Sequence, residues 1–178
     1  IVQTFPAVEH DFTPNILHCK EGEWIHPQWT GSDNNRNNVA GEGTDQTDRS
    51  NLMQMETGKM NYPIPWESQN LFDAEEAIKL AWNSLNEKEN SHCKSWTQLL
   101  ALNENDREQD AKNCPKLNPA TPYYDGGLQQ CKAAGVYYYF SSRENNFSNR
   151  SQKGGLVITT AIPAEHTEDS RTSFNIDL

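Results

Sequence analysis

The chain has 178 residues, a formal net charge of −10, 34% hydrophobic residues and a mean hydropathy of −0.89. No apolar run of about 18 residues exists, which excludes a membrane-spanning helix, and the negative balance argues against a nucleic-acid binder, which needs a basic stripe. Coiled coil and collagen fail on composition, while five Trp, six Tyr and six Phe can build a core and argue against full disorder. What remains is a soluble, acidic globular domain with long polar loops, in which Asn and Gln together outnumber the 25 acidic residues.

The chain opens at Ile1 without an initiating Met, which reads as a processed product or a piece of something longer. Residues 12–19 form a short strand candidate, and Lys20-Glu21-Gly22-Glu23 a turn. Residues 24–30 form the next strand; Pro27 cannot donate to a ladder, so this strand lies at an edge or is bulged there. Residues 31–45 have almost nothing to bury and read as a surface loop, after which Asn51-Leu52-Met53-Gln54-Met55 returns to a strand.

The period then changes. Ala74, Ala77, Ile78, Ala81, Trp82 and Leu85 fall on one helical face, with Asp73 and Glu76 spaced as an N-cap signature. A second helix is predicted from about Ser95, through Trp96, Leu99, Leu100 and Leu102, ending at Asn113-Cys114-Pro115. Residues 67–111 carry ten acids and four bases, so they hold −6 of the −10. A solvated helix surface accounts for that concentration. Turn-rich residues 118–131 follow. Gly135-Val136-Tyr137-Tyr138-Tyr139-Phe140 is apolar on both faces and suits a central strand covered on both sides. Residues 154–162 form the closing strand. Residues 163–178 read as a polar tail or linker, and no internal repeat is visible.

Cys19, Cys93, Cys114 and Cys131 form no CxxC pair, so a zinc cluster is not expected. An even, widely spaced set fits two disulfides in an oxidising compartment. Three pairings exist. The preferred one joins Cys93 to Cys114 across one helical segment and Cys19 to Cys131 between β regions; four buried free thiols are the alternative. Two N-glycosylation sequons nearly touch, at Asn146-Phe147-Ser148 and Asn149-Arg150-Ser151, and with the cysteines they favour secretion.

The order of these pieces resembles a cupredoxin-type β-sandwich, with an early strand, the Glu21-Gly22-Glu23 turn, the Trp24 to Trp29 strand, and Gly135-Val136-Tyr137-Tyr138-Tyr139-Phe140 followed by Gly154-Gly155-Leu156-Val157-Ile158. Longer strings are more specific: Ile25-His26-Pro27-Gln28-Trp29-Thr30-Gly31-Ser32-Asp33, Gly41-Glu42-Gly43-Thr44, Thr47-Asp48-Arg49-Ser50-Asn51-Leu52 and residues 139–154. These are similar to the DD-three-three family of secreted or surface proteins. The resemblance spans about residues 12–162 and implies an extracellular place; it carries no catalytic residues over. The expected fold is mainly β: a single cupredoxin-like antiparallel β-sandwich over residues 1–162, with an insert at 67–131 whose helical part covers about residues 70–112.

Such a fold raises the question of copper. A type 1 site needs a Cys thiolate and a His, and usually a Met, on the closing loop; residues 141–155 contain none of them, and a copper brace fails because residue 1 is Ile. His10, His18 and His26 recur every eight residues but lie across turns, so ordinary edge histidines explain them. Asp33-Asn34-Asn35-Arg36-Asn37 invites a calcium reading, yet the EF-hand Gly and Glu positions hold Asn38 and Thr44. An irregular cage from Asp33, Glu42, Asp45 and Asp48 is the weak remaining calcium candidate. Glu75-Glu76 is explained by its helix start, and no nucleophile elbow, HExxH or P-loop occurs. Trp24, Trp29, Tyr123 and Tyr124 could stack on sugars, though packing is the commoner use of such rings.

The expected function is therefore non-catalytic: an extracellular or cell-surface structural module, glycosylated at Asn146 or Asn149, that builds a coat, matrix or filament by self-association. Amide side chains both donate and accept, which suits dense contacts with neighbours or glycans. The alternative is a glycan- or cation-binding module, and a redox enzyme ranks third. No cofactor, nucleic-acid partner or membrane span is expected.

Overall fold

The computed structural model describes residues 12–34, 43–85, 93–143 and 152–160. β1 is Ile16–Lys20, β2 Trp24–Ile25, β3 Gln28–Thr30 and β4 Met53–Met55. α1 (Ala74–Trp82), α2 (Trp96–Leu100) and α3 (Glu104–Gln109) follow, then β5 (Tyr123–Asp125), β6 (Gln129–Gln130), β7 (Gly135–Phe140) and β8 (Lys153–Thr159).

One sheet has the order β1-β8-β7-β4. Its β7–β8 and β4–β7 pairs are antiparallel, but β1 runs parallel to β8. The expected all-antiparallel pattern is corrected at this pair. A parallel neighbour needs a long crossover, and the whole chain between β1 and β8 supplies it. The predicted closing strand is thus interior. β7 is interior too, and its second face is covered at the buried Phe140 but not at Val136. Tyr137 and Tyr139 are buried while Val136 is 58% exposed, so the expectation of two covered faces fails at that end.

The predicted strand over residues 24–30 is two strands. β2 pairs with β6 and β3 with β5, both antiparallel. Together they form one ribbon, in which His26 and Pro27 lie opposite the three residues Gly126, Gly127 and Leu128. The extra residue is a bulge, set where Pro27 lacks an N–H. The Gly126 amide donates to the Pro27 carbonyl at 2.9 Å. Gly126 also permits close approach, since a Cβ there would stand 2.5 Å from Leu80 Cδ2.

The ribbon covers the inner face of the sheet. Trp29 from β3 joins Tyr137, Tyr139, Leu156 and Ile158 in one core cluster, together with Leu52, Leu71, Phe72 and Leu80. A second cluster lies under the helical segment: Leu85, Cys114, Leu117 and Ala120, with Trp82 and Cys93 against it.

The helices depart from their predicted faces. In α1 the buried residues are Ala77, Leu80 and Ala81, and Ala74 is exposed. Asn83 takes a left-handed conformation (φ 50°) that ends the helix before Leu85. Asp73 makes no side-chain cap; its carboxylate pairs with Lys132 instead. The predicted second helix is divided. Ser95 and Gln98 form a capping box on α2, and Asn103 caps α3 by accepting from the Asp106 amide at 2.9 Å. That capping bond offers the backbone a new start in place of continuation. Leu99 alone is buried on α2, leaving Trp96 63% and Leu100 52% exposed. Among the described residues no helix is long and apolar enough to cross a membrane.

Candidate functional site

A cleft opens between the ribbon and the inner face of the sheet, with a volume of about 310 Å³. Alternation along β3 makes it: Trp29 turns inward while Gln28 and Thr30 turn out. The Trp29 ring packs against Tyr124 across the ribbon, centroids 5.0 Å apart. Leu52, Phe72, Tyr139 and Leu156 complete the floor. Phe12 closes one side, edge-on to Tyr139 at 5.0 Å, and a cis peptide joins Thr13 to Pro14 beside it. His26, Gln28 and Thr30 stand at the mouth.

The mouth is pinned at the bulge. His26 Nε2 donates to Asp125 Oδ1 at 2.5 Å, and the Gly127 amide donates to the same oxygen at 2.9 Å. The His26 bond, then the Gly127 amide, hold the Asp125 carboxyl below its ordinary range. Hydrogen bonds to the charged form have that effect.

Behind the cleft lies a buried polar frame. Arg49 is 4% exposed. Its guanidinium donates to the carbonyls of Ala120 (2.9 Å), Ser32 (3.0 Å) and Asp48 (2.8 Å), and to Asp33 Oδ1 (2.5 Å). Asn51 donates to the Ala81 carbonyl at 2.8 Å and accepts from the Ser142 amide at 2.8 Å. Gln54 accepts from the amides of Asn70 and Leu71, both at 2.9 Å. Asn118 donates to the Glu108 and Asp110 carbonyls and accepts from the Thr44 amide. Arg143 reaches the Thr47 carbonyl at 2.9 Å. These groups brace loops and helix ends together; the Ser32 and Asp48 carbonyls that Arg49 meets also pair with each other's amides, and Ala81 and Glu108 lie in the last turns of their helices.

The cysteines are bonded Cys19–Cys131 and Cys93–Cys114, and no free cysteine remains. The first bond ties β1 to the end of the ribbon within the main core; the second staples the helical segment over its own cluster.

Of the calcium candidates, Asp33 is engaged by Arg49, the Asp45 amide donates to Gln109 Oε1, and Asp48 pairs through its backbone with Ser32. Glu42 lies outside the described residues, as do His10 and the sequon residues Asn146 and Asn149. Among the described residues no three His, Cys, Asp or Glu side chains converge as a metal set. His18 is exposed on β1 and His26 is on the ribbon, so the structure does not bring them together. The four aromatics divide in two: Trp24 (59%) and Tyr123 (50%) are exposed on the ribbon, whereas Trp29 is buried and packs on Tyr124.

Sequence reading missed the floor residues Phe72 and Leu156 and the frame residues Arg49 and Asn51. The sequence offers Trp29 only as a packing or sugar-stacking ring on a strand, with nothing to join it to a cleft. Residues 47–50 carry no periodic signal, because buried and exposed polar residues look alike in sequence, and Asn51 reads only as the start of a strand.

A family model described as the DD3-3 cupredoxin-like domain matches residues 1–158. The chain belongs to that family. No curated protein and no solved structure matches it. In this DD3-3 cupredoxin-like domain, two of the four strings that carried the resemblance build the bulged ribbon (residues 25–33) and the buried frame (residues 47–52); the other two, residues 41–44 and 139–154, lie partly outside the described residues.

Proposed function

We propose that this DD3-3 cupredoxin-like domain is a non-catalytic module of a secreted or cell-surface glycoprotein, building a coat, matrix or filament by self-association. The observation that carries this reading is the outer face of the four-stranded sheet. The register sets Ile16, Gly155 and Tyr138 in one row and His18, Val157 and Val136 in the next. Ile16 is 60% and Val136 58% exposed. Exposed Ile16 and Val136, with half-buried Tyr138 and Val157 and the exposed His18 beside them, give a mainly apolar patch that reaches the sheet-edge strand β1 and suits contact with another copy. The two disulfides favour an oxidising compartment. The buried frame holds the faces rigid, which lowers the entropy cost of assembly. Electron microscopy of native material tests the reading: ordered polymers or sheets are expected, and dispersed single particles at high concentration would count against it.

A second reading, glycan binding, is favoured by the outer face of the ribbon. Trp24 and Tyr123 are exposed there, and the Tyr123 hydroxyl donates to Gln28 Oε1 at 3.2 Å. Rings flanking amides suit sugar faces and hydroxyls. Calorimetry against an oligosaccharide panel decides it. Binding that Trp24→Ala and Tyr123→Ala each weaken is expected; silence across the panel would remove this reading.

A further inference from the structure

Strand β1 uses half of its backbone groups on β8. The Gly155 amide donates to the Asn15 carbonyl at 2.8 Å, and the Glu21 amide donates to the Thr159 carbonyl at 2.9 Å. Along an extended strand, residues that bond one neighbour alternate with residues that turn away from it. Asn15, Leu17, Cys19 and Glu21 therefore face β8, and the N–H and C=O of Ile16, His18 and Lys20 point off the edge of the sheet. Lys20 is closed by the turn: its amide donates to Glu23 Oε2 at 2.7 Å and its carbonyl accepts from the Glu23 amide at 3.0 Å. Among the described residues no group meets the outward backbone of Ile16 or His18. The opposite edge strand, β4, differs, because the Ile64 amide donates to the Gln54 carbonyl at 3.1 Å.

A bare edge is a template for another strand, and this one is complementary to itself. Two β1 strands laid antiparallel about a twofold axis at Leu17 put Ile16 of each copy opposite His18 of the other. Each such pair exchanges both backbone hydrogen bonds. Lys20, whose amide is already taken, then falls opposite Pro14, which has no N–H, so neither end of the window leaves a mismatched donor. Charge agrees with this occupant. The chain carries −10, yet β1 holds no acidic side chain and ends in Lys20, so two copies meet there without opposed carboxylates. Ile16, 60% exposed, carries the apolar outer face across the junction.

We propose that two copies of this chain join edge to edge through antiparallel β1 strands, Ile16 pairing with His18 across a twofold axis, to make one continuous sheet. The proposal rests on the self-association reading and names its contact. A twofold contact closes at two copies, which leaves the outer face around Val136 to join such pairs. Sedimentation velocity of the full chain, His18→Pro and His18→Ala tests it. Proline at an outward edge position removes an N–H that β8 does not use. Association should fall at least about tenfold in His18→Pro and change less than about threefold in His18→Ala. In the unaltered chain, amide hydrogen exchange at Ile16 and His18 should slow as concentration rises. Association that Val136→Asp weakens but His18→Pro does not would overturn the edge pairing while the self-association reading stands. Equal losses in His18→Pro and His18→Ala, or exchange at Ile16 and His18 that ignores concentration in an associating chain, would also overturn it. A strictly monomeric unaltered chain would overturn both. Should His18→Pro fail to fold, the hydrogen exchange decides alone.

Discussion

Arg49 shows how single residues hold this domain. Its buried guanidinium meets three carbonyls and one carboxylate from segments far apart in the chain. Lysine has neither the fork nor the planar spread to reach them. We expect Arg49→Lys to cost about 2–4 kcal/mol, since buried acceptors lose their donors. Its partner Asp33 is 59% exposed, so Asp33→Asn should cost under about 1 kcal/mol. Urea denaturation of both variants checks this, and equal losses would contradict the assigned geometry. Asp110 tests the helical segment. The Lys94 ammonium donating to it, and next the Lys112 amide, keep its carboxyl below the ordinary 3.8. A depressed folded value means stability that is present above 3.8 and lost as pH falls below it. Thermal melts should therefore show a flatter acid limb for Asp110→Asn than for the unaltered protein below that pH. Identical limbs would remove this pair from the account.

At the scale of elements, the bulge and the disulfides set the ribbon. Gly126→Ala would place a methyl 2.5 Å from Leu80 Cδ2 and 2.8 Å from the Pro27 carbonyl. We expect a loss of about 1–3 kcal/mol by thermal or urea unfolding; a neutral result would mean the ribbon is not fixed against α1. The disulfides close loops of different size, with sequence separations of 112 for Cys19–Cys131 and 21 for Cys93–Cys114. Loop-closure entropy assigns about 4–5 kcal/mol to the first and about 3 to the second. Replacing each pair by Ala should reproduce that order, more so because Cys19 and Cys131 also pack the main core. The strands were legible where β-branched or aromatic residues ran together between turn residues, as in β7 and β8. The division of residues 95–112 was not, because Asn103 reads equally as a helix surface or as a cap. The α1 face was misplaced by leaving out Leu80, which only the approach of the ribbon at Gly126 makes central. The cleft was not legible: its walls come from Phe12, Leu17, Trp29, Leu52, Phe72 and Leu156, which no local pattern joins.

For the whole molecule, the thin apolar fraction is offset from within. Buried amides and guanidinium groups answer loop backbone, and two disulfides restrict the unfolded chain, so a modest core suffices. The buried amides, among them Asn51, Gln54 and Asn118, are thus internal braces, while the amide clusters at residues 35–38 and 145–149 lie outside the described residues. The surface retains separate apolar features on the sheet's outer face, on the ribbon and on α2. Of these, the outer sheet face bears the central functional claim. Sedimentation velocity of the unaltered chain and of Val136→Asp, across a wide concentration range, tests it most directly. Val136 is already exposed, so the substitution leaves the core alone. The account predicts concentration-dependent association of the unaltered chain that Val136→Asp weakens at least about tenfold, the scale of one lost apolar contact plus a buried charge. A strictly monomeric unaltered chain, or association that Val136→Asp leaves unchanged, would contradict it.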